Sequence, residues 1–162
     1  MNIRDETRDD LVAVRQVLEA AFGQPAEADL VEALRQSGDA VISLVAEADG
    51  QVVGQVLFST LQAPGRCIAL APVSVLPGRQ NQGIGSALVR HGLTRARSDG
   101  WQAVFLLGDP QFYGRFGFGA AIADKFETPY PKAYVQALEL TPGALQRRSG
   151  ALVYAPAFLA LG

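Results

Sequence analysis

Cysteine, histidine, methionine and tryptophan each occur once in the 162 residues, and lysine occurs only as Lys125 and Lys132. One thiol, Cys67, cannot close an internal disulfide, and one imidazole, His91, cannot build a multi-histidine metal site, so no metal is expected. Long apolar runs are also missing: none approaches the ~20 residues that cross a bilayer. The opening segment Met1-Asn-Ile-Arg-Asp-Glu6 has no secretion-type apolar stretch. A cytoplasmic protein without membrane contact is therefore expected. Nor is there an excess of one charge. Lys and Arg number 14 against 16 Asp and Glu, a net charge of −2, which speaks against a general nucleic-acid binder. What is abundant is apolar side chain, at 49%, enough for a real core in one domain spanning residues 1–162.

The hydrophobic pattern predicts an alternation of strands and helices. Asn2 to Glu6 reads as an edge strand. Thr7 and Asp10 form a capping-box pattern ahead of a helical stripe at Leu11, Val14, Leu18, Ala21 and Phe22. Gly23 stops that helix. Pro25 opens a second one with Leu30, Val31 and Leu34 on one face, and Ser37-Gly38 ends it. Two strand-type runs, Val41 to Ala48 and Gln51 to Leu61, flank Asp49-Gly50, a strong hairpin signal. Cys67 to Val75 reads as a buried strand containing Pro72, which has no ladder donor; a bulge or splay is expected there. A helix from Gly83 to Ser98, a strand from Ala103 to Leu107 and a brief helix from Gln111 to Phe116 follow, the last capped by Asp109 with Pro110 behind it. Strands around Val135 to Leu140 and Leu152 to Tyr154 close the chain, and the apolar run Ala155 to Leu161 is expected to cover a sheet edge or a second copy in a homodimer. The order βααβββαβαββ describes an α/β domain with a mixed central sheet of about seven strands flanked by helices.

The most informative stretch is Val73-Ser-Val-Leu-Pro-Gly-Arg-Gln-Asn-Gln-Gly-Ile-Gly-Ser-Ala-Leu88. A buried strand runs into a glycine-bearing turn that opens a helix, which aims main-chain N–H groups and a positive helix end at an anion. Two common phosphate loops fail here. The third glycine of a dinucleotide fingerprint is replaced by Leu88. Gly78 and Gly83 have Walker spacing, but Ile84-Gly85 stands where Lys-Ser/Thr is needed.

Gln80-Asn81-Gln82-Gly83-Ile84-Gly85 instead fits the pattern Gln/Arg-x-x-Gly-x-Gly/Ala. With it the sequence resembles the GNAT superfamily of N-acetyltransferases, in which this loop cradles the pyrophosphate of acetyl-CoA. A second element follows about 25 residues later. Gly108-Asp-Pro-Gln-Phe-Tyr-Gly-Arg-Phe-Gly-Phe118 is similar to the superfamily's Tyr-x-x-x-Gly-Phe segment, and its longer form resembles a bacterial branch of that superfamily. The likeness covers residues 1–120 by element order and loosens in the tail.

The resemblance implies a splayed sheet, acetyl-CoA as co-substrate, no metal, and direct acetyl transfer to a primary amine. The cofactor-contacting segments it implies are Val73, Ser74 and Val75 on the strand and Gln80 to Ser86 (Gln80, Asn81, Gln82, Gly83, Ile84, Gly85, Ser86) on the loop. The N–H of Val75 is implied as the oxyanion contact. Tyr113 matches the proton-donating tyrosine; the other reading of its ring is packing against Phe112, Phe116 and Phe118. Arg79 and Arg115 either assist phosphate binding or are simply solvated. No carboxylate stands between Ile68 and Val75, so the general base is not visible; Glu27, Asp29, Glu127 or water are the options. Phe22, Tyr130 and Tyr134 are expected to line an acceptor site between the Phe22–Asp29 connection and the Glu127–Tyr134 loop; the other reading of the latter aromatics is a self-packed lid. A non-catalytic acyl-CoA-binding module is the alternative that the missing base leaves open.

Overall fold

A computed structural model describes residues 1–161. In chain order the elements are β1 (Asn2–Asp5), α1 (Leu11–Phe22), α2 (Ala26–Ser37), β2 (Ala40–Ala48), β3 (Gln51–Gln62), β4 (Cys67–Val75), α3 (Ile84–Ser98), β5 (Ala103–Leu107), α4 (Pro110–Tyr113), α5 (Ala120–Ala123), β6 (Phe126–Glu127), β7 (Val135–Glu139), β8 (Gly150–Ala151) and β9 (Val153–Tyr154). Seven strands form one sheet in the order β1-β2-β3-β4-β5-β7, with β9 added to the far end of β3 through Leu61–Tyr154 and Gln62–Val153. Only β4 and β5 run parallel; the other pairs are antiparallel. This is the mixed, helix-flanked α/β sheet that the element order implies.

Local chemistry explains the joints. Asp49 and Gly50 both have positive φ, 54° and 74°, the geometry of a two-residue type I′ hairpin whose twist suits the flanking strands. Thr7 and Asp10 do form their box, but it closes a 3₁₀ turn at Arg8–Asp10 that leads into α1. The Asp10 carboxylate is spent twice over: it accepts the Thr7 backbone N–H at 2.7 Å and both terminal nitrogens of Arg4 at 2.7 and 3.0 Å. The guanidinium beside it holds this carboxyl well below the usual carboxylate range, and the pair ties β1 to the start of α1. Gly23 and Gly38 end α1 and α2 in the left-handed conformation.

Two departures from expectation have local causes. The helix expected over Gln111–Phe116 starts at Pro110 and converts to a 3₁₀ turn at Gly114–Phe116, ended by Gly117 at φ +99°. Residues 120–123 make a short helix, α5, and β6 pairs with β8 in a separate two-stranded parallel sheet; both elements are too short to show periodicity. The run Ala155 to Leu161 forms a 3₁₀ turn whose Phe158 is buried against the apolar cluster that includes Leu30 and Val31 of α2, while Leu159 faces out.

Each sheet face carries its own apolar layer: α3 covers one side, α1 and α2 the other, and a third cluster gathers about β5, β7 and Phe126. Close contact of α3 with the sheet depends on Gly92. A Cβ at that position would stand 2.3 Å from Cε1 of Phe58, a ring with no exposed surface and hence no escape route. Gly92→Ala is expected to cost about 1–3 kcal/mol by overpacking, seen as a lower denaturant midpoint; an unchanged midpoint would show that α3 is not held this close.

Candidate active site

The site begins with a defect in β4. Its register against β3 runs Val56–Val73 on one side of Pro72 and Phe58–Leu70 on the other, so Ala71 and Pro72 together oppose Leu57. This is a bulge at the residue that cannot donate to the ladder. On its other edge β4 pairs with β5 only from Cys67–Ala103 to Ala69–Phe105. Beyond that point the two strands part. The sequence predicts a bulge or splay at Pro72, and the structure shows both, the bulge against β3 and the parting from β5.

The ladder phase sets what the gap offers. Leu76 N–H donates to Val53 C=O at 2.9 Å, making 53–76 a hydrogen-bonded pair. Antiparallel ladders alternate, so the neighbouring pairs Gly54–Val75 and Val56–Val73 are the non-bonded kind. The main-chain groups of Val73 and Val75 therefore point away from β3, into the gap left by β5. One of them is already engaged: Val75 C=O accepts Gln80 Nε2 at 3.1 Å. The Val75 N–H and both groups of Val73 are left for a guest.

Beside the gap stands the first turn of α3. Gly83, at φ +81°, is its N-cap, and Ala87 N–H makes the first intrahelical bond, to Gly83 C=O at 3.0 Å. The amides of Ile84, Gly85 and Ser86 precede that bond and point along the axis, where the helix dipole favours an anion. Asn81 helps fold the loop by adopting φ +63°. These elements enclose a cleft of about 550 Å³ lined by Val73, Val75, Arg79, Gln80, Asn81, Gly83, Ile84, Gly85, Ser86, Phe112, Tyr113 and Arg115. Its charged side chains are both cations. Arg79 is partly engaged with exposed Asp49 at 3.0 Å, and Arg115 lies 5.1 Å over the Phe112 ring.

Tyr113 closes the inner end. Asp109 caps α4 by accepting Gln111 N–H at 2.9 Å, and Gly108 is pinned from both sides: its N–H donates to Tyr134 C=O at 3.0 Å, and its C=O accepts Gln136 Nε2 at 3.0 Å. The Tyr113 ring packs edge-on against Phe112 and Phe118, at 4.9 and 6.0 Å between centroids. It is thus both packed and presented. Burial pushes its phenol up to about 12, above the ordinary value of about 10.

On the opposite side of the gap lies a second cavity of about 340 Å³, lined by Phe22, Glu27, Leu30, Leu70, Ala71, Pro72, Val73, Leu106, Leu107, Tyr113, Tyr130, Tyr154, Phe158 and Leu161. Val73 and Tyr113 belong to both spaces. Tyr154 has a buried hydroxyl without a hydrogen-bond partner among the described residues, and burial raises its phenol to about 12.

Most of the expected site residues converge on these two spaces; three do not. Ser74 alternates with Val73 and Val75, so its side chain turns inward and its Oγ donates to Gln55 C=O at 3.4 Å. Gln82 is exposed on the loop and does not line the cleft. Tyr134 is 53% exposed and contributes its carbonyl to Gly108, not its ring to the cavity. Conversely Phe112, Leu30, Tyr154 and Phe158 are absent from the sequence-based selection. Phe112 is visible inside the Phe-Tyr motif, whereas the tail aromatics carry no spacing that ties them to residues a hundred positions earlier.

Comparison with known proteins agrees with this geometry. The model of the acetyltransferase (GNAT) family matches residues 11–118. The chain belongs to that family. Among GNAT relatives, it is 35% identical over 160 residues to the uncharacterized N-acetyltransferase YhbS of Escherichia coli (strain K12), covering 95% of this chain and 96% of the relative. It is 37% identical over 132 residues to YjhQ of the same organism, another uncharacterized N-acetyltransferase, covering 76% of this chain and 73% of the relative. The crystal structure of E. coli YhbS in complex with CoA superposes with a TM-score of 0.93 at 34% identity, over 99% of this chain and 93% of that one. A GNAT acetyltransferase from Brucella melitensis in complex with acetyl-CoA gives a TM-score of 0.83 at 39% identity, covering 97% of both chains. Among the described residues no group of His, Cys, Asp and Glu is arranged to hold a metal ion, and no helix is long and apolar enough to cross a membrane.

The close approach at Gly108 makes the position of Tyr113 testable. A Cβ there would meet the Tyr113 ring at 2.5 Å, so Gly108→Ala must displace the ring that the two cavities share. Expected is a loss of acetyltransferase turnover of about tenfold or more, in line with the ~10²-fold that a 1 Å misplacement can cost. Near-normal turnover in a folded variant would mean that the ring is free to shift without consequence.

Proposed function

We propose that this chain is an acetyl-CoA-dependent N-acyltransferase that moves the acetyl group directly to a primary amine, both substrates being bound at once. One observation carries the reading: Tyr113 and Val73 face two separate spaces, one cationic and main-chain-rich, the other largely apolar. A single tyrosine thus stands where a donor in the first space and an acceptor in the second would meet. The complexes of the relatives with CoA and acetyl-CoA support assigning the first space to the co-substrate.

The residues present fit that guest. The free amides of Ile84, Gly85 and Ser86, with Arg79 and Arg115 beside them, suit a diphosphate. The inward-facing main chain of Val73 and Val75 suits an extended amide-bearing arm, which would bind as an added strand does. The co-substrate supplies an activated acyl carbon on a sulfur leaving group. Everything else is asked of the chain. Val75 N–H is the donor for charge that develops on the acyl oxygen. As the amine nitrogen bonds to the acyl carbon and the carbon–sulfur bond breaks, the electron pair leaves on sulfur and Tyr113 Oη supplies its proton. The nitrogen gives up one proton, and its equivalent returns to the Tyr113 oxygen through solvent, so the exchange balances at one amide and one thiol with the phenol restored. A phenol raised to about 12 stays protonated through neutral pH and releases its proton only as negative charge builds on the sulfur. A cytoplasmic location suits a reaction that draws on acetyl-CoA.

Two measurements decide the matter. In calorimetry, acetyl-CoA and CoA should bind saturably, and Tyr113→Phe should lower turnover by about 10²-fold with the acetyl-CoA Kd little changed. Full activity in that variant removes Tyr113 from the chemistry; binding without turnover over a broad amine panel favours a non-catalytic acyl-CoA module. The pH dependence has a definite sign. Activity should climb as the acceptor amine loses its proton and show no falling limb from Tyr113 below about pH 10, because burial moves the phenol upward. An alkaline limb near pH 8 that disappears in Tyr113→Phe would contradict the assignment.

A further inference from the structure

Of the described residues that line the second cavity, only Glu27 carries a charge. It projects from the first turn of α2, and Gln24 Nε2 donates to both of its carboxylate oxygens, at 3.0 and 3.2 Å, which fixes its orientation. The remaining wall is hydrocarbon and aromatic ring. Tyr130, Tyr154 and Phe158 stack edge-to-face in series, with centroids 5.4 and 5.6 Å apart, opposite Leu30, Leu70 and Leu106. The buried Tyr154 hydroxyl has no partner among the described residues. No lysine or arginine reaches this space.

Resting on the acetyl-transfer reading, we infer that the acceptor is a small amine with one ammonium group on a compact apolar body, of the arylalkylamine kind, and that Glu27 is the residue that docks its nitrogen. Charge complementarity selects this class. One carboxylate matches one ammonium, and the ion pair leaves no charge uncompensated. A diamine would bury its second ammonium against leucine and phenylalanine, where an unpaired ion is costly. An amino acid with a free carboxylate would find no cation to meet it. Size agrees: about 340 Å³ is roughly twice the ~150 Å³ that holds a benzene ring, room for a ring and a short aliphatic arm. Glu27, Tyr113 and the aromatic rings all line this one cavity, so one small guest can meet all three. Glu27 then accepts the hydrogen bond of the incoming nitrogen and receives the proton it must lose before attack.

The test uses the unaltered protein with acetyl-CoA and follows thiol release with 2-phenylethylamine, 1,4-diaminobutane and phenylalanine as acceptors. The expected result is a kcat/KM for 2-phenylethylamine at least tenfold above either of the others. In Glu27→Gln the KM for 2-phenylethylamine should rise tenfold or more while the KM for acetyl-CoA stays unchanged. Better turnover of the diamine or the free amino acid overturns this inference and leaves acetyl transfer standing, as does an unchanged amine KM in Glu27→Gln. A parallel titration of 2-phenylethylamine into the CoA-loaded protein separates the two readings. Binding that is weakened tenfold in Glu27→Gln, with no thiol released from acetyl-CoA, upholds the cavity's chemistry and removes the transfer reaction. Absence of binding in both variants, with no turnover of that amine, overturns the inference.

Discussion

The structure depends on two strands that begin as hydrogen-bonded neighbours and then stop being so. Over Cys67–Ala69 and Ala103–Phe105 the parallel pair is regular; past it, the Ala71–Pro72 bulge bends β4 while β5 runs on towards α4. A buried main-chain group without a partner costs about 1–3 kcal/mol, so a gap in the middle of a sheet is tolerable only where something else can fill it. Here β3 takes up one side of β4, Gln80 caps the Val75 carbonyl, and what is left unpaired is the set of groups that a strand-like ligand would satisfy. The defect is thus also where main-chain groups stand open to a ligand.

Packing on the two faces turns that gap into two chemically different spaces. On the α3 side, small residues allow close approach: Gly54 and Gly92 let the helix lie directly on the sheet, which brings its amide-bearing N-terminus level with Val73 and Val75. On the α1–α2 side, leucines and the tail aromatics meet instead, leaving an apolar chamber. Tyr113 is held between them by a collar of interactions around Gly108, in which the Tyr134 carbonyl and the Gln136 amide fix the backbone and the absence of a side chain leaves room for the ring. The same burial that aligns the phenol also raises its pKa, so position and protonation state follow from one cause.

How much of this was legible beforehand follows the range of the forces involved. The Asp49-Gly50 hairpin, the α3 periodicity, the bulge at Pro72 and the glycine-bearing turn at Gly83 are each set by residues within a few positions of one another, and each stands where local chemistry places it. Ser74 and Tyr134 illustrate the limit. Their neighbours Val73 and Val75, or Tyr130, do face a cavity, but which side a residue presents depends on strand phase and on a loop closed by distant partners.

By itself, then, the sequence determined the order of the longer strands and helices, the strand that must break its ladder, the loop whose amides face outward and the tyrosine that follows the next strand, because these rest on backbone stereochemistry and short-range periodicity. Tertiary structure alone decided at which residue β5 parts from β4, that Tyr154 and Phe158 join Phe22 and Leu30 around one chamber, and that Glu27 is the single charge there among the described residues. Those outcomes arise from contacts between segments as much as 136 residues apart (Phe22 and Phe158), where no local preference acts and only the filling of a common core can choose.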